Sequence, residues 1–468
     1  MSASLEHSSY PAREPSLEGF ESALAEGIAE AVRHGGTTML ALPARLAPSE
    51  ALLAETTADA VAWAAPSGFE LSALGFAHVI EASGVTRFRS VAQAGAELLA
   101  RTRTVGLLGA GAFAPKLFGG FSFAPRPPDS DIWRGFGEAR FVLPEVAYVV
   151  EGGIARLLVT VVSAKLDATR ARDALIEAAS RAFASAERGI TPGPAAAAAE
   201  LRRSERPPAE WAALVEAIRG EIARGTLEKV VLARRVEVEL ERAPDPATVL
   251  ARLRQQAQEC TRFLVRQSGV TFLGATPEWL ARKRGAVLET AAVAGSMSTL
   301  DREGAARLLE SGKDRAEHAI VLREILRALS PLSSSIEHGD QPELYQLKHV
   351  FHLRSRIRAT LKGSPHLLHV VEQLHPTPAV GGVPPARALE WIASHEPDER
   401  GWYAGPVGWF DAAGDGDVAV ALRSGVLAGR MAELYGGAGI VDRSSPDAEF
   451  AETRWKLAAL LGALGVTE

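Results

Sequence analysis

Cysteine is almost absent from this 468-residue chain, with Cys260 standing alone. One thiol permits no intramolecular disulfide and no cysteine-built zinc cage, which suits a reducing compartment. A basic surplus is missing as well. Lysine and arginine number 51 against 57 aspartates and glutamates, a formal charge of -6, so phosphate backbones and anionic lipid find no broad cationic surface and neither nucleic acid nor membrane is an expected partner. No apolar run reaches membrane length, no heptad pattern is sustained, and nothing recurs at a fixed period, which sets aside spanning, coiled-coil and solenoid architectures. The opening MSASLEHSSYPAREPSLEGF lacks the basic start and apolar centre of a secretion signal, so the expected location is the cytoplasm.

What is present is ordinary globular composition, 47% hydrophobic and 23% charged. The length exceeds one ordinary core, so either two lobes or one large α/β unit is expected. The clearest punctuation is GITPGPAAAAAELRRSERPP at 189–208, where Pro and Gly bracket an alanine run. The chain therefore divides into a polar tail over 1–20, a sheet-rich part over 21–190, a linker over 191–208 and a further region over 209–466. Before the linker, VGLLGAGAF, FGGFSFAP, ARFVLPEVAYVV and ARLLVTVVSA are short apolar runs cut by Gly and Pro, the pattern of strands and turns. After it, Trp211, Leu214, Val215, Ile218 and Ile222 fall at helical spacing with Gly225 as a stop. KVVLARRVEVEL ends in strict alternation, FLVRQSGVTFLGA reads as a hairpin turning at Ser268 and Gly269, and helices are expected in DRAEHAIVLREILRAL and FAETRWKLAALLGAL.

Several constellations can carry chemistry. Gly109, Gly111 and Ala114 in VGLLGAGAFA formally fit a dinucleotide fingerprint, the mark of an oxidoreductase. Pro115 and the glycine-broken KLFGGFSFAP follow, however, so the helix whose N-terminus would hold a pyrophosphate is missing and a tight turn between strands is the better reading. Two acidic pairs share one spacing. Asp314 and Glu317 are neighbours on one helix face with His318 beside them, and Glu449 and Glu452 repeat the interval with Lys456 a turn further on. Two such faces can meet around a hard cation such as Mg²⁺, which needs few carboxylates once waters and a substrate anion join; equally, acids near helix starts are favoured by the macrodipole alone. Lys229 opens a strand and Glu278 follows Pro277 at the end of another, so the two can face one cleft as base and acid, or stand apart as surface charges. Glycine-rich LYGGAGIV, with Gly436, Gly437 and Gly439, and AVAGSM ahead of Ser296 can offer backbone N–H groups to an anion or simply turn the chain.

From Trp211 to Leu464 these segments occur in an order that resembles the chorismate-utilising enzymes: isochorismate, salicylate, anthranilate and aminodeoxychorismate synthases. The segments are KVVLAR, GATPEWL, AVAGS, SGKDRAEH, FHLRSRI, LHPTPAVGGVP, WYAGPVGW, VALRSG, YGGAGIV and SSPDAEFAETRWKL, with FGGFSF as the landmark in the earlier half. The resemblance implies one large α/β unit, of α+β type, in which extensive antiparallel sheet is surrounded by helices, with 209–466 as the chorismate-binding catalytic region. It implies an Mg²⁺ site in which Glu317 and Glu452 are direct ligands and Asp314 and Glu449 support them. Ser296, His352, Tyr403, Arg423, Lys456 and the backbone from Gly437 through Ala438 to Gly439 match substrate-binding positions; guanidinium, ammonium and amide dipoles suit a dianion. Lys229 is expected to take a proton from water attacking C2, and Glu278 to protonate the departing C4 hydroxyl. Anthranilate synthase typically has glutamine at the position of Lys229, and aminodeoxychorismate synthase has a nucleophilic lysine where this chain has Ala294. Isochorismate synthase, serving menaquinone or siderophore synthesis, is therefore expected, with salicylate synthase as the alternative and no obligatory glutaminase subunit.

Overall fold

The strand Lys229–Leu240 is buried at every residue as far as Arg234, and then alternates, with Val236, Val238 and Leu240 inside and Arg235, Glu237 and Glu239 half-buried. β-branched residues with period two form such a strand because successive side chains point to opposite faces. The computed structural model describes residues 16–54, 56–106, 113–166, 169–188, 200–299, 303–348 and 350–466. In it Lys229–Leu240 is flanked by the antiparallel strand Met431–Ile440 along its length and by Gly382–Val383 at its start. Its far half pairs with Glu200–Glu205. That last strand corrects the sequence reading. Residues 200–205 lie inside the stretch expected as a linker, yet main-chain pairing to a strong neighbour makes them a sheet edge despite their polar side chains.

Among the described residues, 21 strands join one network and eleven α-helices pack around it. Nearly every pairing is antiparallel; Thr37–Ala44 with Thr102–Gly106 is the parallel exception. The two sides of the 191–208 stretch are stitched into this network. Ala60–Ala64 pairs with Thr261–Gln267, and Lys116–Phe121, which contains the FGGF of the sequence landmark, pairs with Pro406–Asp411. The chain is thus one α/β unit with extensive antiparallel sheet surrounded by helices, as its motifs imply. The strand Lys116–Phe121 also disposes of the helix that a dinucleotide fingerprint needs; Gly109 and Gly111 themselves lie outside the described residues. The expected hairpin is present between Thr261–Gln267 and Val270–Thr276, and Ser268 and Gly269 turn it at φ 50° and 82°. Two positive φ values make the tight turn whose twist matches the strands it joins.

The apolar core is shared across the chain in the same way. Phe272, fully buried, has ring centroids of Trp133 at 5.2 Å, Phe263 at 5.3 Å, Phe136 at 6.4 Å and Trp402 at 6.4 Å. Trp133 and Phe136 come from the early half and Trp402 from the late one, so one aromatic cluster welds them. Phe272→Ala leaves a cavity with neighbours from three directions; a loss of about 3–5 kcal/mol is expected, read as a lowered midpoint in thermal or denaturant unfolding.

Candidate active site

The helix Gly312–Leu329 buries Asp314, Glu317, His318, Val321, Ile325 and Leu329, one stripe that is acidic in its first turns and apolar beyond. Ser311 caps it, its hydroxyl accepting from the Asp314 N–H and contacting the Asp314 carboxylate. The apolar end seats the helix on the sheet, and the acidic end is thereby carried against the open ends of Lys229–Leu240 and Met431–Ile440. The helix Pro446–Leu464 begins with Pro at its first turn and buries Glu449, Phe450, Thr453 and Leu457. Its acidic start approaches the same place.

Between these helices and the sheet lies a cleft of about 730 Å³, open solvent at its mouth included. Lys229 and Glu278 both line it. Lys229 is 1% exposed and its Nζ lies 2.8 Å from Glu317 Oε1. Glu278 sits in the turn between Val270–Thr276 and Trp279–Arg284, held by its N–H on Thr276 Oγ1 at 3.2 Å and by its carbonyl accepting from Val420 N at 3.1 Å. Burial pushes its carboxyl up to about 7, with Lys229 and Lys456 opposing. Burial would raise Glu317 as well, but Lys229, by charge and hydrogen bond, together with Lys313 and Lys456 carries it below the ordinary range. Two carboxyls in one cleft are thus driven in opposite directions, which separates a proton-bearing group from a fixed anion.

Glu317 and Glu452 line the cleft, one from each helix. Glu452 Oε1 accepts from Lys456 Nζ at 2.6 Å, and the same ammonium reaches Gly437 O at 2.9 Å. Asp314 and Glu449 stand behind them, away from the cleft wall. Burial raises both carboxyls; Glu317 and Glu452 add to the rise of Asp314, and Glu452 to that of Glu449. Lys313 Nζ answers Glu449 Oε1 at 2.6 Å. Among the described residues no group of three or more His, Cys, Asp or Glu side chains converges at metal-binding distance. The donor set nevertheless fits a hard cation that keeps waters and takes a ligand anion, because two carboxylate oxygens face one cleft and their acidic neighbours raise the demand for positive charge. Gly439 makes room for this. A Cβ there would lie 2.3 Å from Glu317 Oε1 and 2.8 Å from Lys229 Cε, so any side chain would displace both.

The remaining expected residues divide. Ser296, His352, Tyr403, Arg423, Gly437 and Lys456 line the cleft. Tyr403 is stacked on Tyr435 at 5.1 Å, and burial raises its hydroxyl to about 12, so it stays a phenol. Ala438, expected to contribute through its backbone, is not among the residues lining the cleft. Strand alternation turns its side chain into the core, and Gly436 lines the cleft beside Gly437 and Gly439 instead. Ala294, where an aminating relative would carry its nucleophilic lysine, also lines the wall.

Arg400 and Lys313 were not singled out by sequence. Arg400 lines the cleft and is fully occupied: Nε and Nη2 meet Glu396 at 2.6 and 2.7 Å, Nη1 donates to Val380 O at 2.8 Å, and Nη2 to Val231 O at 2.8 Å. The only sequence signal was its place three residues before Tyr403. Lys313 lies within SGKDRAEH, beside the acidic pair that drew attention.

Residues 44–465 match the family of chorismate binding enzymes. The chain belongs to that family. Among this chorismate binding enzyme's relatives is the salicylate biosynthesis isochorismate synthase of Pseudomonas aeruginosa, 39% identical over 368 residues, 76% of this chain and 75% of that one. The isochorismate synthase MenF of Bacillus subtilis is 35% identical over 360 residues, with 76% and 75% covered. The solved menaquinone-specific isochorismate synthase MenF of Escherichia coli superposes with a TM-score of 0.75 at 25% identity, covering 94% of this chain and 100% of that one. No helix among the described residues is long and apolar enough to cross a membrane.

Because the Glu278 carboxyl rises from 4.5 to about 7 on folding, the folded state holds more protons than the unfolded state between those values. Stability contributed by the protonated group is therefore lost as pH rises through that window. Glu278→Gln removes the loss. The variant is expected to be more stable than the parent at pH 8 by up to about 3 kcal/mol, with the gap closing toward pH 5, checked by unfolding at both values.

Proposed function

We propose that the protein is an isochorismate synthase: it isomerises chorismate to isochorismate by adding water at C2 while the C4 hydroxyl leaves. The observation that carries this is the shared cleft of Lys229 and Glu278, one a buried lysine and the other a carboxyl that holds its proton near neutrality. The names of relatives at 35–39% identity agree.

The chemistry follows from these groups. Lys229, which must be neutral when it acts as base, takes a proton from the attacking water; the new C–O bond forms at C2, the C1–C2 double bond moves to C1–C6, the C5–C6 double bond moves to C4–C5, and the C4–O bond breaks. Glu278 gives its proton to the departing hydroxyl, which leaves as water, so nothing is oxidised and no atom is gained overall. Each proton transfer by a placed group contributes about 10²–10⁴ in rate. A bound Mg²⁺, held by Glu317 and Glu452 with Asp314 and Glu449 behind them, would supply positive charge for the ring carboxylate of the substrate. Arg423, Lys456, Tyr403 and Ser296 provide donors for the carboxylates of the dianion and fix the ring between base and acid.

The product is isochorismate and not a lyase product in this reading. Two relatives are named for menaquinone and salicylate biosynthesis, and water as nucleophile calls for no glutaminase subunit.

Incubation with chorismate and Mg²⁺ followed by chromatography is expected to give isochorismate reversibly. Salicylate with pyruvate as main products would transfer the protein to salicylate synthase. Lys229→Ala or Glu278→Gln should lower kcat by about 10²–10⁴. Chelation should abolish turnover and added Mg²⁺ restore it, with Glu317→Gln raising the Mg²⁺ concentration required; activity indifferent to chelator would defeat the metal assignment.

A further inference from the structure

Ser296, His352 and Arg423 form a hydrogen-bonded chain along one wall of the cleft. Arg423 Nη2 lies 3.1 Å from His352 Nε2. A guanidinium has donors only, so Nε2 must accept and carries no proton. The single hydrogen of a neutral imidazole then sits on Nδ1, which is 3.0 Å from Ser296 Oγ and 3.2 Å from Gly295 O. With Nδ1 donating, the Ser296 hydroxyl cannot donate to it, and its own hydrogen is left for the cleft that Ser296 lines.

The backbone enforces this arrangement. Ser296 and His352 are cross-strand partners just past a bulge where Gly295 takes φ 74°, so the extra residue re-aims the serine toward the imidazole. Arg423 adopts φ 50°, a region that residues with a Cβ seldom occupy, and its carbonyl is tied by Ala275 N at 3.2 Å. His352 is 6% exposed. Its burial, followed by the charges of Arg423 and Lys456, holds the imidazole well below its ordinary range and therefore neutral.

We propose that His352 is a positioning residue: as the neutral Nδ1–H tautomer it accepts from Arg423 and donates toward Ser296, so that the guanidinium and the Ser296 O–H converge on one carboxylate of a dianionic ligand. This rests on the reading of the cleft as a chorismate site. It also gives the Ser–His contact its meaning. At 3.0 Å the pair has the spacing of a nucleophile and its base, but the nitrogen facing the serine bears the hydrogen and the basic nitrogen faces the arginine. Ser296 cannot be deprotonated by this imidazole, and the pair binds instead of attacking.

Two measurements test the proposal. Long-range ¹H–¹⁵N correlation of histidine-labelled protein without substrate or metal, with the His352 signals identified by their absence in His352→Gln, is expected to show a protonated Nδ1 and a pyridine-like Nε2 at pH 7.5. A protonated Nε2, or an imidazolium, overturns it. In kinetics, His352→Leu removes the acceptor for Arg423 and should raise KM for chorismate about 10- to 100-fold with a much smaller change in kcat, the worth of one hydrogen bond to a charged group. His352→Gln, whose amide oxygen reaches the place of Nε2, should recover most of that loss, and Ser296→Ala should raise KM about tenfold. Equal KM values for the Gln and Leu variants, or a loss expressed in kcat alone, overturn the positioning role. A parent protein inert toward chorismate would defeat the functional reading separately, and the spectrum would still decide the tautomer.

Discussion

Charge buried at the seam between two helices and a sheet is the constraint on which the rest depends. Asp314, Glu317, Glu449 and Glu452 would repel one another in a poorly solvated space, and Lys229, Lys313 and Lys456 are threaded among them so that Glu317, Glu449 and Glu452 each face an ammonium within 2.6–2.8 Å. Buried pairs of this kind add little net stability, yet removing one partner leaves an uncompensated charge that is costly. Their value is geometric. Each pair except Lys456 with Glu452 joins different elements, so the helices can dock in one register only, and Glu317, which helps set that register, also lines the cleft.

Much of this was legible in sequence where periodicity and chemistry coincide. The helix Gly312–Leu329 announces itself by Val321, Ile325 and Leu329, and extending the same stripe backward predicts that Glu317 and Asp314 point inward. Alternation does not do the same for Lys229, which has the parity of Arg235, Glu237 and Glu239; it is inside because the first half of its strand is buried on both faces. Illegible features depend on partners remote in the chain. Glu200–Glu205 has a loop-like composition and is a strand because Lys229–Leu240 offers an unpaired edge. Ala438 belongs to a glycine-rich run that looks uniformly open to a ligand, but alternation sends its Cβ to the core. Arg400 gave little sign beyond its nearness to Tyr403, since its meaning lies in the carbonyls of Val380 and Val231 and the carboxylate of Glu396.

Arg400 also shows how the wall of the cleft is kept still. Its guanidinium lies 4.2 Å over the ring of Phe123, which belongs to the early half of the chain, while Glu396 accepts from Ala233 N at 2.7 Å. One buried pair therefore ties the strand that carries Lys229 to the Val380 segment and to the aromatic core. A rigid scaffold of this sort keeps acid and base at fixed separation, which is where preorganised sites gain over flexible ones.

The pairing of Lys116–Phe121 with Pro406–Asp411 closes the sheet across nearly three hundred residues. During synthesis on the ribosome the earlier strand emerges long before its mate, and Glu452 and Lys456 follow later still. The nascent polypeptide must carry that unpaired edge for many seconds at usual elongation rates. Long-range closure of this kind folds slowly, so the cell has reason to shield the half-made chain until its final helix arrives.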